Sequence, residues 1–387
     1  MRRIVAYSAV LYAALGAAGC GSGLYARADV PFEGGAAPDD AAYRLLLVGD
    51  IGDARITRPE GRPLLERLSR DLGSNVPAAV VLLGDNVYPA GVPASSGTPG
   101  RRAAERIVRA VVDATSGADD VVFVPGNHDW NDSRPGGLAR IEAQGDLIAR
   151  YAGPAGPARL LPRGGCPGPI TVDLGSVARL VIIDTEWLLM PDDPRRKPLG
   201  REAGCAYGPP DAPQAFPAAG LTRETFYDAL RSTVRRPTER TLVLVSHHPL
   251  RSRGAHGGYL GGSWLPLVWP ALRRLAPPRQ DFASSANRDM RARLEAILLG
   301  AVAPTVVSAA GHDHNLQVFE QSRGVYFLVS GAGSKTGPAG RGPGLLFRHA
   351  ALGYMRLDFE ADGDAHLTVV EAAVGRPSFR MALDRRP

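Results

Sequence analysis

The chain has three cysteines and two lysines in 387 residues. So few thiols exclude a disulfide-dense mini-scaffold, and no partner ligands stand at metal spacing around Cys166 or Cys205, so a thiolate zinc module is excluded too. Positive charge of one kind is also scarce: Lys197 and Lys335 are the only ammonium groups, and 45 Lys+Arg face 39 Asp+Glu. The net +6 falls to about +4 without Arg2 and Arg3 in the leader. That balance is too small and too dispersed for a nucleic-acid partner, although it suits an anionic substrate. What is present is ordinary for a packed domain, with 44% hydrophobic and 22% charged residues. Global disorder, collagen-like repeats and a polytopic membrane protein are excluded. Glycine (46) and proline (33) are plentiful and predict long, punctuated loops.

The first twenty residues address the compartment. Met1-Arg2-Arg3 is a short positive start, Ile4 to Gly19 is apolar or small, and a single Cys20 follows Ala17-Ala18-Gly19. This reads as a secretory signal, too short for a stable membrane span. Small residues before a cysteine resemble a bacterial lipoprotein cleavage site, which implies a lipid anchor at Cys20 and a place in the cell envelope, periplasm or outer surface. Ala17 stands where leucine is usual, and the alternative is plain export with Cys20 lost or free. In an oxidising compartment Cys166 and Cys205 are candidates to pair, stapling two irregular loops.

Residues 21–42 are small and polar and read as a tether before a catalytic domain over 43–375, with a tail at 376–387. Short apolar runs predict buried strands at Leu45–Val48, Ala79–Leu83, Val121–Val124, Arg179–Ile183, Thr241–Val245, Pro304–Ser308 and Val325–Val329, the first three ending in glycine or proline. Leu64–Leu72 and Ala103–Val112 read as amphipathic helices. The pattern gives an α/β core with sheets covered on both faces. Tyr354–Phe359 and Ala365–Val370 flank Ala361-Asp-Gly-Asp364 as an antiparallel hairpin. Insertions at 188–221 and 259–288 break the rhythm. Trp264 and Trp269 in the second could touch a membrane surface, but packing on the core is the commoner role of such residues.

Five motifs terminate predicted strands: Gly49-Asp50-Ile51-Gly52, Gly84-Asp85-Asn86-Val87-Tyr88, Gly126-Asn127-His128-Asp129, Ser246-His247-His248-Pro249 and Gly311-His312-Asp313-His314. Strand ends in α/β sheets gather at one edge, so distant motifs can meet in one crevice. Carboxylate, amide, phenol and imidazole donors suit Fe, Zn or Mn. Asp50, Asp85, Tyr88, Asn127, His247, His312 and His314 are too many for one tetrahedral site and suit two ions sharing a carboxylate. His248 is the alternative to His247 if the strand ends one residue later.

In this order the motifs resemble the calcineurin-like metallophosphoesterases, and among them the purple acid phosphatases. Most of that superfamily begins Asp-x-His. Here the third position is Gly52, and Tyr88 in Gly-Asp-x-x-Tyr stands in compensation. The resemblance implies a single-domain, four-layer α/β/β/α sandwich with two mixed sheets. It places Asp50, Tyr88 and His314 on an Fe(III) site, Asn127, His247 and His312 on a divalent site (Fe, Zn or Mn), and Asp85 between them. It makes His128, oriented by Asp129, and His256 the substrate-side catalytic histidines. The implied activity is hydrolysis of a phosphate ester, most simply a monoester, by a hydroxide bound at the dinuclear centre. A phosphodiesterase or nucleotide hydrolase with the same metals is the near alternative, and a non-catalytic envelope binding module the remote one.

Overall fold

In the computed structural model, which describes residues 23–27, 41–258, 277–374 and 377–387, two large sheets pack face to face. The first runs in the order β17 (Phe379–Leu383), β16 (Ala365–Glu371), β15 (Gly353–Phe359), β2 (Tyr43–Val48), β3 (Ala78–Leu82), β4 (Asp120–Phe123) and β5 (Ala158–Leu160). The second runs β1 (Tyr25–Ala26), β14 (Leu345–His349), β12 (Leu316–Ser322), β13 (Val325–Ser330), β11 (Val306–Ala310), β10 (Thr241–Val245), β7 (Ala178–Ile182) and β6 (Ile170–Leu174). A two-stranded ribbon, β8 (Ala206–Tyr207) and β9 (Gln214–Ala215), lies in the proline-rich insertion.

The strand runs are continuously apolar because each strand is covered twice. Leu45, Leu47, Val81, Val243 and Val307 fill the space between the sheets. Their neighbours Leu46, Val48, Val80 and Leu82 face α1 (Arg62–Leu72), α2 (Arg101–Thr115) and α3 (Gly137–Ala152). Val181, Leu242, Leu244 and Val306 pack in the same core as α4 (Thr185–Leu189), α5 (Arg223–Arg235) and α6 (Ser285–Leu299). A period of two on a strand sends alternate side chains to opposite faces, so two helical layers and one inter-sheet layer follow from the same residues. The helices bring the matching stripe: Leu64, Leu68 and Leu72 are buried at four-residue steps in α1. This is the four-layer α/β/β/α sandwich with mixed sheets.

β2, β3, β4 and β5 run parallel, as do β7, β10, β11 and β13, so each sheet delivers several strand ends to one edge. The two edges meet: the Gly49 N–H after β2 donates to the Ser330 carbonyl at the end of β13 (2.7 Å). The C-terminal hairpin forms as β15 and β16 and extends the first sheet through β2.

Several expectations need correction. Residues 376–387 are not simply a tail, because β17 pairs with β16 and buries Phe379, Met381 and Leu383 on the inter-sheet side. That alternation is a strand signal. Within the expected tether, Tyr25–Ala26 pairs with β14. The second insertion ends earlier than residue 288, since Ser284 caps α6 by accepting the Asn287 N–H (3.1 Å). Strands β5, β6, β12 and β14 and helix α3 add to the elements read from the sequence. Cys166 and Cys205 form a disulfide. Cys20, Trp264 and Trp269 lie outside the described residues.

Candidate metal centre

All seven expected ligands sit at the shared edge of the two sheets. Asp50 follows β2, Asp85 and Tyr88 follow β3, and Asn127 follows β4, all from the first sheet. His247 follows β10 and His312 and His314 follow β11, from the second. The chain turns hard to put them there. Asp50 (φ 60°), Asp85 (φ 54°) and His312 (φ 69°) all hold left-handed backbone, which a non-glycine residue adopts at a cost. The other three non-glycine residues with positive φ are Asn131, Asp132 and Ser133, just beyond the third motif. All six among the described residues thus border this edge.

Two glycines are required by close approach. Gly84 has φ +89°, and a side chain there would overlap the His247 ring. A Cβ on Gly52 would overlap the backbone of Asp85, Asn86 and Val87. The Gly52 carbonyl instead accepts the Tyr88 N–H (3.0 Å). That contact brings the Tyr88 hydroxyl to 2.9 Å from Asp50 Oδ1, so the phenol stands beside the carboxylate where the absent histidine cannot.

On one side, Asp50 Oδ1 also lies 3.7 Å from His314 Nδ1, and Asp50 Oδ2 accepts the His312 N–H (2.7 Å). On the other, Asn127 Oδ1, His247 Nε2 and His312 Nδ1 form a triangle with sides of 3.0, 3.1 and 3.2 Å. Asp85 Oδ1 lies 3.4 Å from His247 Nε2, and Asp85 and Tyr88 stand close enough to act on each other electrostatically, so Asp85 lies between both sets. The donor atoms are aimed by their other contacts. His247 Nδ1–H donates to the Leu83 carbonyl (2.8 Å), which turns the Nε2 lone pair into the triangle. Asn127 Nδ2 donates to Asp132 Oδ1 (2.9 Å), which turns its carbonyl oxygen inward.

This triangle fits a first-row cation. Ligands about 2.1 Å from one ion in octahedral array stand about 3.0 Å apart. On the Asp50 side, the buried His314 Nδ1 has no hydrogen-bond partner, as an atom facing a ligand site would not. Two groups, Asp50–Asp85–His247 and His247–His248–His312, gather ligand atoms within 4.8 Å of one another. His248 is therefore near but differently engaged: its Nδ1 meets Thr185 Oγ1 (2.9 Å), and its Nε2 faces Glu186 Oε2 at 3.6 Å.

Burial sets the protonation states. It drives His312 and His248 well below the ordinary imidazole range and His314 down to about 4, leaving neutral rings. Burial, and then Asp85 alongside, pushes Asp50 well above the usual carboxylate range. Burial resists ionisation of Asp85 too, but His247, His128 and the His128 N–H outweigh it and hold Asp85 below its ordinary value. Burial, with Asp50 and Asp85 beside it, keeps the Tyr88 phenol protonated.

His128 and His256 flank the cluster. The His128 ring packs on Tyr88 (centroids 4.6 Å apart) with Nε2 3.8 Å from Asp85 Oδ2, and the His256 ring packs on His312 (3.9 Å). Asp129 does not orient His128. Its carboxylate accepts the N–H groups of Gly126, Asn86 and Val87, clamping the second and third motifs together, while His128 Nδ1 meets the Pro89 carbonyl (2.6 Å). Asp132 was missed in the sequence, as was Lys335, whose Nζ lies 3.3 Å from the Tyr88 ring centroid. The sole cue for Lys335 was that it is one of two lysines.

A two-sheet sandwich with Asp, Asn and His ligands at one seam is the architecture of a metal-dependent phosphoesterase. The sequence profile of the calcineurin-like phosphoesterase family matches residues 43–266, and the chain belongs to that family. Among solved structures it is similar to GAP50, the anchor in the inner membrane complex of Plasmodium, at 16% identity over 90% of each chain with a TM-score of 0.56. It is also similar to purple acid phosphatase PPD1 from yellow lupin (Lupinus luteus) at 15% identity and a TM-score of 0.54. That match covers 92% of this chain and 55% of the lupin protein. At such identities the likeness is one of fold. No curated protein matches the chain by sequence.

Proposed function

We propose that the protein is an exported phosphomonoesterase of the purple acid phosphatase type. The observation that carries this reading is the convergence of Asp50, Asp85, Tyr88, Asn127, His247, His312 and His314 from both sheets, with Tyr88 beside Asp50 where Gly52 leaves room. Asp50, Tyr88 and His314 would hold a trivalent iron, and Asn127, His247 and His312 a divalent ion, with Asp85 shared. Such a pair neutralises phosphoryl charge and makes water a competent nucleophile near neutral pH.

The chain's own groups do the rest. Hydrolysis joins a water oxygen to phosphorus, breaks the bond to the ester oxygen and returns a proton to that oxygen. His128 engages the Pro89 carbonyl through Nδ1, so its Nε2 exchanges protons at the site mouth, with His256 its counterpart beside His312. The side chain of His128 is 30% exposed, which leaves it accessible to a phosphate ester. The leader motif and the disulfide support export, and Cys20 supports a lipid anchor in the bacterial envelope. Loss of membrane association in a Cys20→Ala variant tests the anchor.

Metal analysis of the purified protein with an absorption spectrum tests the centre. Two metals with a visible tyrosinate band are expected, and two colourless metals would withdraw the iron role of Tyr88. Aryl monophosphates should turn over faster than bis-aryl phosphates, and the reverse order would favour a phosphodiesterase. A protein of this fold, GAP50, is described as an anchor, which motivates a non-catalytic binding module as the second reading. Two bound metals without turnover of any phosphate ester would favour it.

A further inference from the structure

The second insertion returns to the core through residues 277–284, and this return is built against His256. The His256 N–H donates to Asp313 Oδ1 (3.0 Å), and the His256 carbonyl accepts the Phe282 N–H (3.0 Å). Its ring Nδ1 lies 2.8 Å from Asp281 Oδ1, and Asp281 is 4% exposed. Asp313, between two expected ligands, is held in turn by Ser252 Oγ. Asp281 stands on a firm base. Its carbonyl accepts the Ser284 N–H (2.9 Å), Ser284 caps α6, Asn287 Nδ2 donates to the Gln280 carbonyl (2.7 Å), and Arg279 Nε donates to the Leu189 carbonyl (2.7 Å). A carboxylate held this way imposes one orientation on the ring it meets.

We propose that Asp281 is a positioning residue: it accepts the Nδ1 proton of His256 and fixes the ring so that Nε2, having taken up a proton from solvent, delivers it to the leaving oxygen and returns the ring to the Nδ1–H tautomer. This rests on the phosphomonoesterase reading above. Protonation at Nδ1 assigns the tautomer, as the other nitrogen then does the chemistry. The cost of losing it must appear where the leaving group needs a proton most. An alkoxide needs one, and a nitrophenolate scarcely does.

The test compares Asp281→Ala, Asp281→Asn, His256→Ala and the double variant His256→Ala/Asp281→Ala on 4-nitrophenyl phosphate and on a simple alkyl phosphate. Asp281→Ala and His256→Ala should each lower kcat on the alkyl ester by about 10²-fold. On the nitrophenyl ester both should change kcat by less than about threefold, with KM held on both substrates. The double variant should match the singles, and Asp281→Asn, whose amide oxygen still accepts from Nδ1, should recover most of the loss. The ¹⁵N resonances of the His256 ring should report Nδ1–H in the wild type and mixed tautomers in Asp281→Ala. If the alanine variant does not fold, Asp281→Ser takes its place, being too short to reach Nδ1. Equal losses on both esters, losses that add in the double variant, or an unchanged tautomer would overturn the proposal. The reading beneath it fails separately: turnover that survives Asp85→Ala would remove the hydrolase mechanism, whereas the tautomer measurement would still stand.

Discussion

The two sheets make unequal contributions to the centre. The first supplies only oxygen donors, Asp50, Asp85, Tyr88 and Asn127, and the second only imidazole nitrogens, His247, His312 and His314. Burial acts on them in opposite senses. It readies the imidazoles by keeping them neutral, whereas it resists ionisation of Asp50 and keeps on Tyr88 a proton that a cation must displace. One half of the site is poised for a metal, and the other is completed by it.

Asp85, which meets groups from both halves, should break the comparison most severely when removed. Asp85→Ala is expected to abolish retention of both metals and lower aryl phosphate hydrolysis by more than about 10³-fold, beyond the 10–100-fold typical of outer contacts. Metal content after gel filtration and steady-state rates would check it. Asp132→Ala acts one contact further out, freeing the Asn127 amide to turn, and should weaken divalent-ion affinity by about 10–100-fold, read by competition with a chelating dye. Tyr88→Phe leaves the second sheet untouched and should erase the visible band while two metals remain.

The subtlest test separates the halves by protons. Uptake of metal by the metal-free protein should release protons near pH 7, and affinity should rise with pH there, because Tyr88 surrenders its proton. The imidazoles release none at that pH, since His314 titrates at about 4 and His312 well below the ordinary range. Calorimetry in two buffers of different ionisation enthalpy would measure the count. Zero release at pH 7 would mean that the oxygen half is as ready as the nitrogen half.

The cluster of seven expected ligands was legible because each follows an apolar run whose end the fold must deliver to one rim, and because the motifs keep the order of a known family. Gly52 and Tyr88 were legible as a pair for the same reason, and the close packing of Gly52 on Asp85–Val87 supplies the physical cause. What stayed hidden lacks a local pattern. Asp129 stands next to His128 in sequence yet turns back to clamp the Asn86 and Val87 amides. Asp281 is 25 residues from His256, in an irregular stretch where only the folded chain shows that they touch. β17 hid behind the assumption that an end is loose, although Phe379, Met381 and Leu383 alternate correctly.

Because oxygen comes from one layer and nitrogen from the other, bound cations would act as rivets through the seam of the sandwich. Slippage of either layer against the other would dismantle the whole cluster at once, so the energy of metal capture is also energy that keeps the layers clasped. Stripping the ions should therefore loosen this rim before the far ends of the strands, and amide exchange after Val48, Leu82 and Val245 would register the loosening first.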